Sequence, residues 1–203
     1  MSDITPTDLD QLYDPPSEAI QRGVMPHLIG FHEDYIARAT FFCLASGREH
    51  GLDASPRGGP PGFVKVIDPQ HVAFADWPGN NRIETLRNLV EDDRLAMLFL
   101  FPGLEVFLRI NGRGRISREA TLLAQLTEGA KTPKTAIVVA IDEVLFHCGK
   151  AINRARLWQP DARIDRGTLP SVGRMKAAMT GGSDADAGRV DAEYERAVRN
   201  DLY

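Results

Sequence analysis

Three groups of residues in the first half of this 203-residue chain have side chains suited to holding an anion. Ser55-Pro56-Arg57-Gly58 offers a hydroxyl and a guanidinium in a glycine- and proline-rich stretch. Lys65 interrupts an otherwise apolar strand pattern, Gly62-Phe63-Val64-Lys65-Val66-Ile67. It reads either as a lysine snorkelling from an edge strand or as a fixed ammonium. Gly79-Asn80-Asn81-Arg82 stands directly before a helix pattern. It reads either as a turn with an asparagine N-cap or as the approach to a phosphate site at a helix N-terminus. Taken together, the three groups favour a phosphate-bearing ligand.

A fourth group lies further along. Period-two alternation from Glu105 sets Phe107, Arg109, Asn111, Arg113 and Arg115 on one face and Val106, Leu108 and Ile110 on the other. One face is core; the other is basic and either solvated or turned to a ligand or subunit. Lys150, Arg154, Arg156 and Trp158 form a basic-aromatic helix end. Other chemistries lack their residues. His27, His32, His50, His71 and His147 show no i, i+4 pair, and Cys43 and Cys148 have no metal spacing, so no metal site is expected. Gly112-Arg113-Gly114 lacks the third glycine of a dinucleotide fingerprint. There is no nucleophile elbow. Cys43, within an apolar run, is expected to be an inert core thiol.

The elements that must carry these residues follow from pattern. Residues 1–16 read as an arm punctuated by Pro6, Pro15 and Pro16. Helices are predicted over 17–24, 32–39, 82–90 (Ile83, Leu86 and Val90 on one face), 120–126 and 150–156. A last amphipathic helix follows Ser183 and carries Val190, Tyr194, Val198 and Leu202. Strands are predicted over 41–45, 63–67, 72–75, 94–101, 105–117 and 135–146, with 46–61 as a long loop. Pro102-Gly103 joins two strands into a hairpin. The strand from Thr135 is apolar on both faces through Ile141, so it lies deep in the sheet. Six strands at hairpin distances argue for an antiparallel barrel with helical decorations, mainly β with helices (α+β). The expected organisation is an arm over 1–16, a barrel over 17–170 and a helical extension over 171–203.

Composition sets the bounds. The net charge is −4, with 43% hydrophobic and 26% charged residues, as in ordinary globular chains. Residues 1–18 carry five acids and no base, and residues 184–203 carry six acids against three arginines, which leaves the middle at +4. That distribution suits a small anionic ligand and lacks the basic stripe of a nucleic-acid binder. No apolar stretch approaches the ~20 residues of a membrane span. Two cysteines fit a reducing compartment, so a cytoplasmic location is expected.

At these residues the sequence resembles the pyridoxamine 5'-phosphate oxidase-like flavoproteins, the FMN-binding split β-barrels. The resemblance is carried by Gly51 through Gly58, Gly62 through Val66, Asp76-Trp77-Pro78-Gly79-Asn80-Asn81-Arg82, Leu98 through Gly103, Leu108 through Gly112, His147 through Ala151, Leu157-Trp158 and the closing Leu202-Tyr203. It implies a homodimer with FMN in clefts between subunits and a small-molecule substrate. It matches Arg57 and Lys65 to positions that hold the flavin phosphate. Asn80, Asn81 and Arg82 match the segment that completes that site, with Ser55 a weaker member. It sets Phe107 where a glutamine usually approaches the flavin ring. Lys150, Arg154 and Trp158 would reach the flavin from the partner subunit. The flavin does its own redox chemistry, so no residue reads as catalytic. The reading is an FMN-dependent oxidoreductase. Its alternatives are a non-catalytic flavin-, haem- or deazaflavin-binding barrel and, more remotely, a single-stranded nucleic-acid barrel. The Arg-x-His pair of the true oxidases is missing: Ala155 through Pro160 stands in its place, and no histidine follows His147. Pyridoxamine 5'-phosphate is therefore not the expected main substrate.

Overall fold

The computed structural model describes residues 4–49, 51–79 and 81–202. It forms two compact units, residues 1–77 with 82–149, and residues 78–81 with 150–203.

The first unit is built on one seven-stranded antiparallel sheet. The strands are β1 (Phe41–Arg48), β2 (Gly51–Gly58), β3 (Val64–Asp68), β4 (His71–Asp76), β5 (Arg94–Leu100), β6 (Val106–Ser117) and β7 (Thr135–Cys148), in the order β2-β1-β5-β6-β7-β4-β3. Around it lie α1 (Pro6–Leu12), α2 (Glu18–Arg22), α3 (Gly30–Arg38), α4 (Glu84–Glu91) and α5 (Ala120–Gln125). No ladder joins the edge strands β2 and β3 among the described residues, so the sheet stays open. It is nevertheless curled. Phe42 of β1 stacks on Phe63, just before β3, at 5.6 Å, and meets Phe74 of β4 edge-on at 5.1 Å. The fold is the α+β split barrel expected from the sequence.

The inner face holds the main core, with Phe42, Leu44, Val64, Phe74, Met97, Phe99, Leu108, Ile110, Ile137 and Val144 all nearly inaccessible. Alternation along each strand puts these residues inside. β7 lies between β6 and β4, and α5 covers part of its outer face through Leu122, Leu126, Ala136 and Val138. Burial on both sides explains its unbroken apolar run. The β5–β6 turn uses Gly103 at φ +83°, a conformation that favours glycine. At Gly112 an added Cβ would lie 2.1 Å from the Ala140 carbonyl oxygen, so the two backbones can pack only with glycine there.

Several expectations are corrected. The chain over 46–61 is not a long loop. β1 runs to Arg48, and residues 51–58 form the seventh strand, pairing with β1 from Phe41↔Gly58 to Arg48↔Gly51. This strand has little β-propensity, and its proline is tolerated because β2 is an edge. Cys43 is exposed rather than a core thiol, because the period of β1 points Phe42 and Leu44 inward and Cys43 outward. The arm contains a short capped helix, α1, with no buried residue. The buried face of α4 is Thr85, Asn88 and Leu89; of the expected stripe Leu86 packs half-buried against the core, while Ile83 and Val90 are exposed, Val90 at 76%. Polar partners on the sheet accept Thr85 and Asn88, and that turns the helix.

The second unit contains α6 (Lys150–Ala155), α7 (Val172–Thr180) and α8 (Asp184–Asn200). α7 was not anticipated. The final helix does not bury the stripe Val190, Tyr194, Val198 and Leu202; its buried residue is Ala187, which crosses α7 at Gly173.

Candidate functional site

The register Phe42↔Arg57 and Leu44↔Ser55 places Ser55 and Arg57 on the inner face, where α4 packs. There the strand meets buried Thr85. Ser55 Oγ and Thr85 Oγ1 hydrogen-bond at 3.2 Å, and Arg57 Nη2 donates to Thr85 Oγ1 at 3.1 Å. The same guanidinium lies 3.8 Å from Asp76 Oδ1 at the end of β4, and its Nη1 donates to the Pro56 carbonyl. Arg57 Nε is buried and has no partner. One turn on, Asn88 Nδ2 donates to the buried Ser46 Oγ at 2.9 Å, a second polar rung between α4 and β1. Burial pushes the Asp76 carboxyl above its ordinary value, and the Arg57 charge partly offsets this.

Arg82 lies just before α4 and pairs with Glu84 in its first turn. Asn81 has φ +58° and Ile83, the N-cap, φ +49°. No side chain caps the helix, so the asparagine N-cap, one of the two sequence readings of this segment, does not form at Asn81. Asn80 lies outside the described residues, as does Tyr203. Lys65 pairs across β3–β4 with Ala73, which belongs to the outer cluster under α5. Arg57 and Lys65 therefore face opposite sides of the sheet, and the structure does not bring them into one cluster. In the second unit, Lys150 and Arg154 are exposed on α6, and Trp158 is half-buried beyond it. Arg156 pairs with Asp161 at 2.6 Å.

The basic face of β6 is largely neutralised. Arg109 Nη2 and Asn111 Nδ2 both donate to Glu143 Oε1, at 2.7 and 2.6 Å, and Arg113 pairs with Asp93 at 2.8 Å. Phe107 stands opposite His147. Two nitrogens on this face, Arg109 Nε and His147 Nε2, are buried without partners. Burial, and then the nearby Arg109 charge, lower the His147 pKa. Among the described residues no group of three His, Cys, Asp or Glu could hold a metal.

Sequence reasoning missed Thr85, Asp76 and Glu143. The first two come to Arg57 only through helix packing and sheet curl. Glu143 reaches Asn111 through a register shift between Asn111 and Gly112, which no local pattern reveals.

Residues 29–148, more than half of the chain, match the family described as pyridoxamine 5'-phosphate oxidase. The chain belongs to that family. No curated protein matches it. Among solved structures it is similar to HupZ of Group A Streptococcus, at 14% identity, over 58% of this chain and 92% of that one, with a TM-score of 0.46. It is similar to a protein of the pyridoxinephosphate oxidase family from Clostridium acetobutylicum, related to general stress protein 26, at 10% identity, 58% and 86% coverage and a TM-score of 0.46. A third is the FAD binding protein of Mycobacterium smegmatis, at 11% identity, 61% and 97% coverage and a TM-score of 0.44. Similarities this low transfer no activity from any of these proteins.

Proposed function

We propose that the protein binds FMN and uses it as an oxidoreductase on a small organic substrate other than pyridoxamine 5'-phosphate. The observation that carries the reading is the unspent Nε of Arg57, beside two hydroxyls in a family member. A phosphate wants several charge-assisted donors. Arg57, Ser55 and Thr85 offer them at one place, with Asn81 and Arg82 leading into the adjoining helix. Asn80 is part of the same proposed segment. Asp76 opposes a dianion there and moderates the affinity. When bound, the isoalloxazine supplies the hydride or electron transfer. The chain's own part is to hold the phosphate and orient the ring. In a homodimer, Lys150, Arg154 and Trp158 of each subunit would complete the cleft of the other, consistent with a flavin's need for enclosure.

The test is the visible spectrum of the purified protein, followed by titration with FMN and riboflavin. Arg57→Ala should weaken FMN about 10- to 150-fold, the loss of one charge-assisted contact, and leave riboflavin nearly unchanged. Equal weakening of both ligands, or of neither, sinks the phosphate assignment. A Soret band or a deazaflavin spectrum in place of a flavin spectrum would replace FMN with that ligand. Light scattering that shows only monomer for the loaded protein would remove the shared cleft.

A further inference from the structure

The N-terminal arm folds into a helix with nothing packed on it. α1 has a full capping box, Thr5 against Asp8, and a proline in its first turn. It nevertheless spans only seven residues, and a helix that short persists by packing an apolar face rather than by propensity. Leu9 and Leu12 share one face, with Tyr13 just beyond, and all three are exposed, Tyr13 at 72%. The helix carries Asp8 and Asp10 and no base, and Asp14 follows it.

A helix of opposite charge is bare in the second unit. α7 turns its small residues to the hairpin: Gly173 abuts the Ala187 backbone, and Ala177, one turn on, lies under Gly182. Met175 and Met179 therefore stand on the other side of the helix, Met179 at 86% exposed. An amphipathic helix ordinarily buries its large apolar residues, and α7 does the reverse. It carries Arg174 and Lys176 and no acid. Neither side chain has an ion-pair or hydrogen-bond partner among the described residues. Arg174, Met175 and Ala178 line an open groove of about 500 Å³ with Leu169 and Pro170.

We propose that the arm of one copy docks on α7 of a second copy, with Leu9, Leu12 and Tyr13 against Met175, Met179 and Leu169 and the arm's carboxylates beside Arg174 and Lys176. The charges are complementary: residues 1–18 carry five acids and no base, and α7 carries two bases and no acid. The lengths match, about 10 Å for α1 and about 13 Å for α7 at 1.5 Å per residue. Within a single chain both faces stay bare, so the arm's seat is on another chain. In a twofold pair each copy gives one arm and receives one, which closes the assembly. The inference rests on the homodimer of the proposed function and does not depend on the flavin.

The experiment is analytical ultracentrifugation of the full chain, with and without FMN, on two charge-reversed variants. One reverses the arm, Asp10→Lys with Asp14→Lys; the other reverses the helix it meets, Arg174→Glu with Lys176→Glu. Each variant alone sets like charges together and should raise the dimer Kd about 10-fold or more. Mixed in equal amounts, the two should pair within about 3-fold of the native Kd, because the reversed arm then meets the reversed helix and the native arm the native helix. Leu9→Ser with Leu12→Ser should also weaken pairing of the otherwise native chain. All of these side chains are exposed in the single chain, so unchanged circular dichroism separates lost pairing from misfolding. Native pairing by both reversed variants sinks the inference and leaves the homodimer and the flavin site standing, and so does a mixture no tighter than its components. A native chain that stays monomeric with FMN bound removes the arm exchange and the shared cleft together. The expected charge pattern in a protein that takes no FMN would overturn the proposed cofactor alone.

Discussion

Replacing Thr85 by valine keeps the shape of a residue only 4% exposed and deletes a hydroxyl that serves both Ser55 and Arg57. A neutral hydrogen bond contributes about 0.5–1.5 kcal/mol and one to a charged group about 1.5–3 kcal/mol. The Arg57 side chain is 24% exposed and keeps Asp76 at 3.8 Å, so water and the carboxylate recover part of the second loss. The net cost is about 1.5–3 kcal/mol. At roughly 2–4 °C per kcal/mol for a chain of this size, Tm falls by about 3–12 °C. Urea unfolding should show a lower midpoint with an unchanged slope, and Thr85→Ser should restore most of it. In a double-mutant cycle with Arg57→Met, the coupling should be about 0.5–3 kcal/mol. FMN affinity should fall along with stability, because an unanchored guanidinium must be ordered by the ligand. A valine variant within about 0.5 kcal/mol of the native protein, no better with serine, would refute the idea that this hydroxyl organises the site.

Four further outcomes are expected. Gly112→Ala should destabilise by about 1–3 kcal/mol or more, as overpacking does, because its Cβ would meet the Ala140 carbonyl at 2.1 Å; an unchanged urea midpoint would contradict that contact. His32 is lowered from 6.5 by burial and then by His27, and accepts from the Ile29 amide at 3.2 Å, while His147 is lowered by burial and then by Arg109. The unfolded chain therefore takes up protons that the folded one resists, so stability is full above pH 6.5 and declines as pH falls through 6.5 toward the depressed values; His32→Asn should flatten that decline in urea titrations across pH. Asp76→Asn should tighten FMN, because it removes the carboxylate beside the Arg57 guanidinium; weaker binding in fluorescence titration would show that Asp76 positions Arg57 instead. Anaerobic mixing of flavin-loaded protein with pyridoxamine 5'-phosphate should leave the flavin oxidised; bleaching and product release at about 1 s⁻¹ or faster would make it a true substrate.

How legible each part was depends on the range of the forces involved. The hairpin at Pro102-Gly103, the alternation along β6 and the doubly apolar β7 were plain in sequence, because side-chain period and turn chemistry act between near neighbours. β2 was not, because its Gly, Pro and Asp have little strand preference and only pairing with β1 makes it a strand. The rotation of α4 was also hidden, because Val90 outranks Thr85 in hydrophobicity, yet Ser55 and Arg57 satisfy the threonine inside.

The site divides along the same line. Residue type offered Ser55, Arg57, Lys65 and Arg82 as candidate anion holders, with a snorkelling lysine and a capped turn as the structural alternatives for Lys65 and for the segment before α4. Family membership likewise follows from the order of residues along 29–148. Which of those groups act together was decided in three dimensions. Strand register sent Arg57 inward to Thr85 and Asp76 and Lys65 to the outer face. The register shift at Asn111 set an acid against the basic face of β6. A chain carries its charges in its sequence, but their partners lie tens of residues away, and only sheet curl and helix packing choose among them.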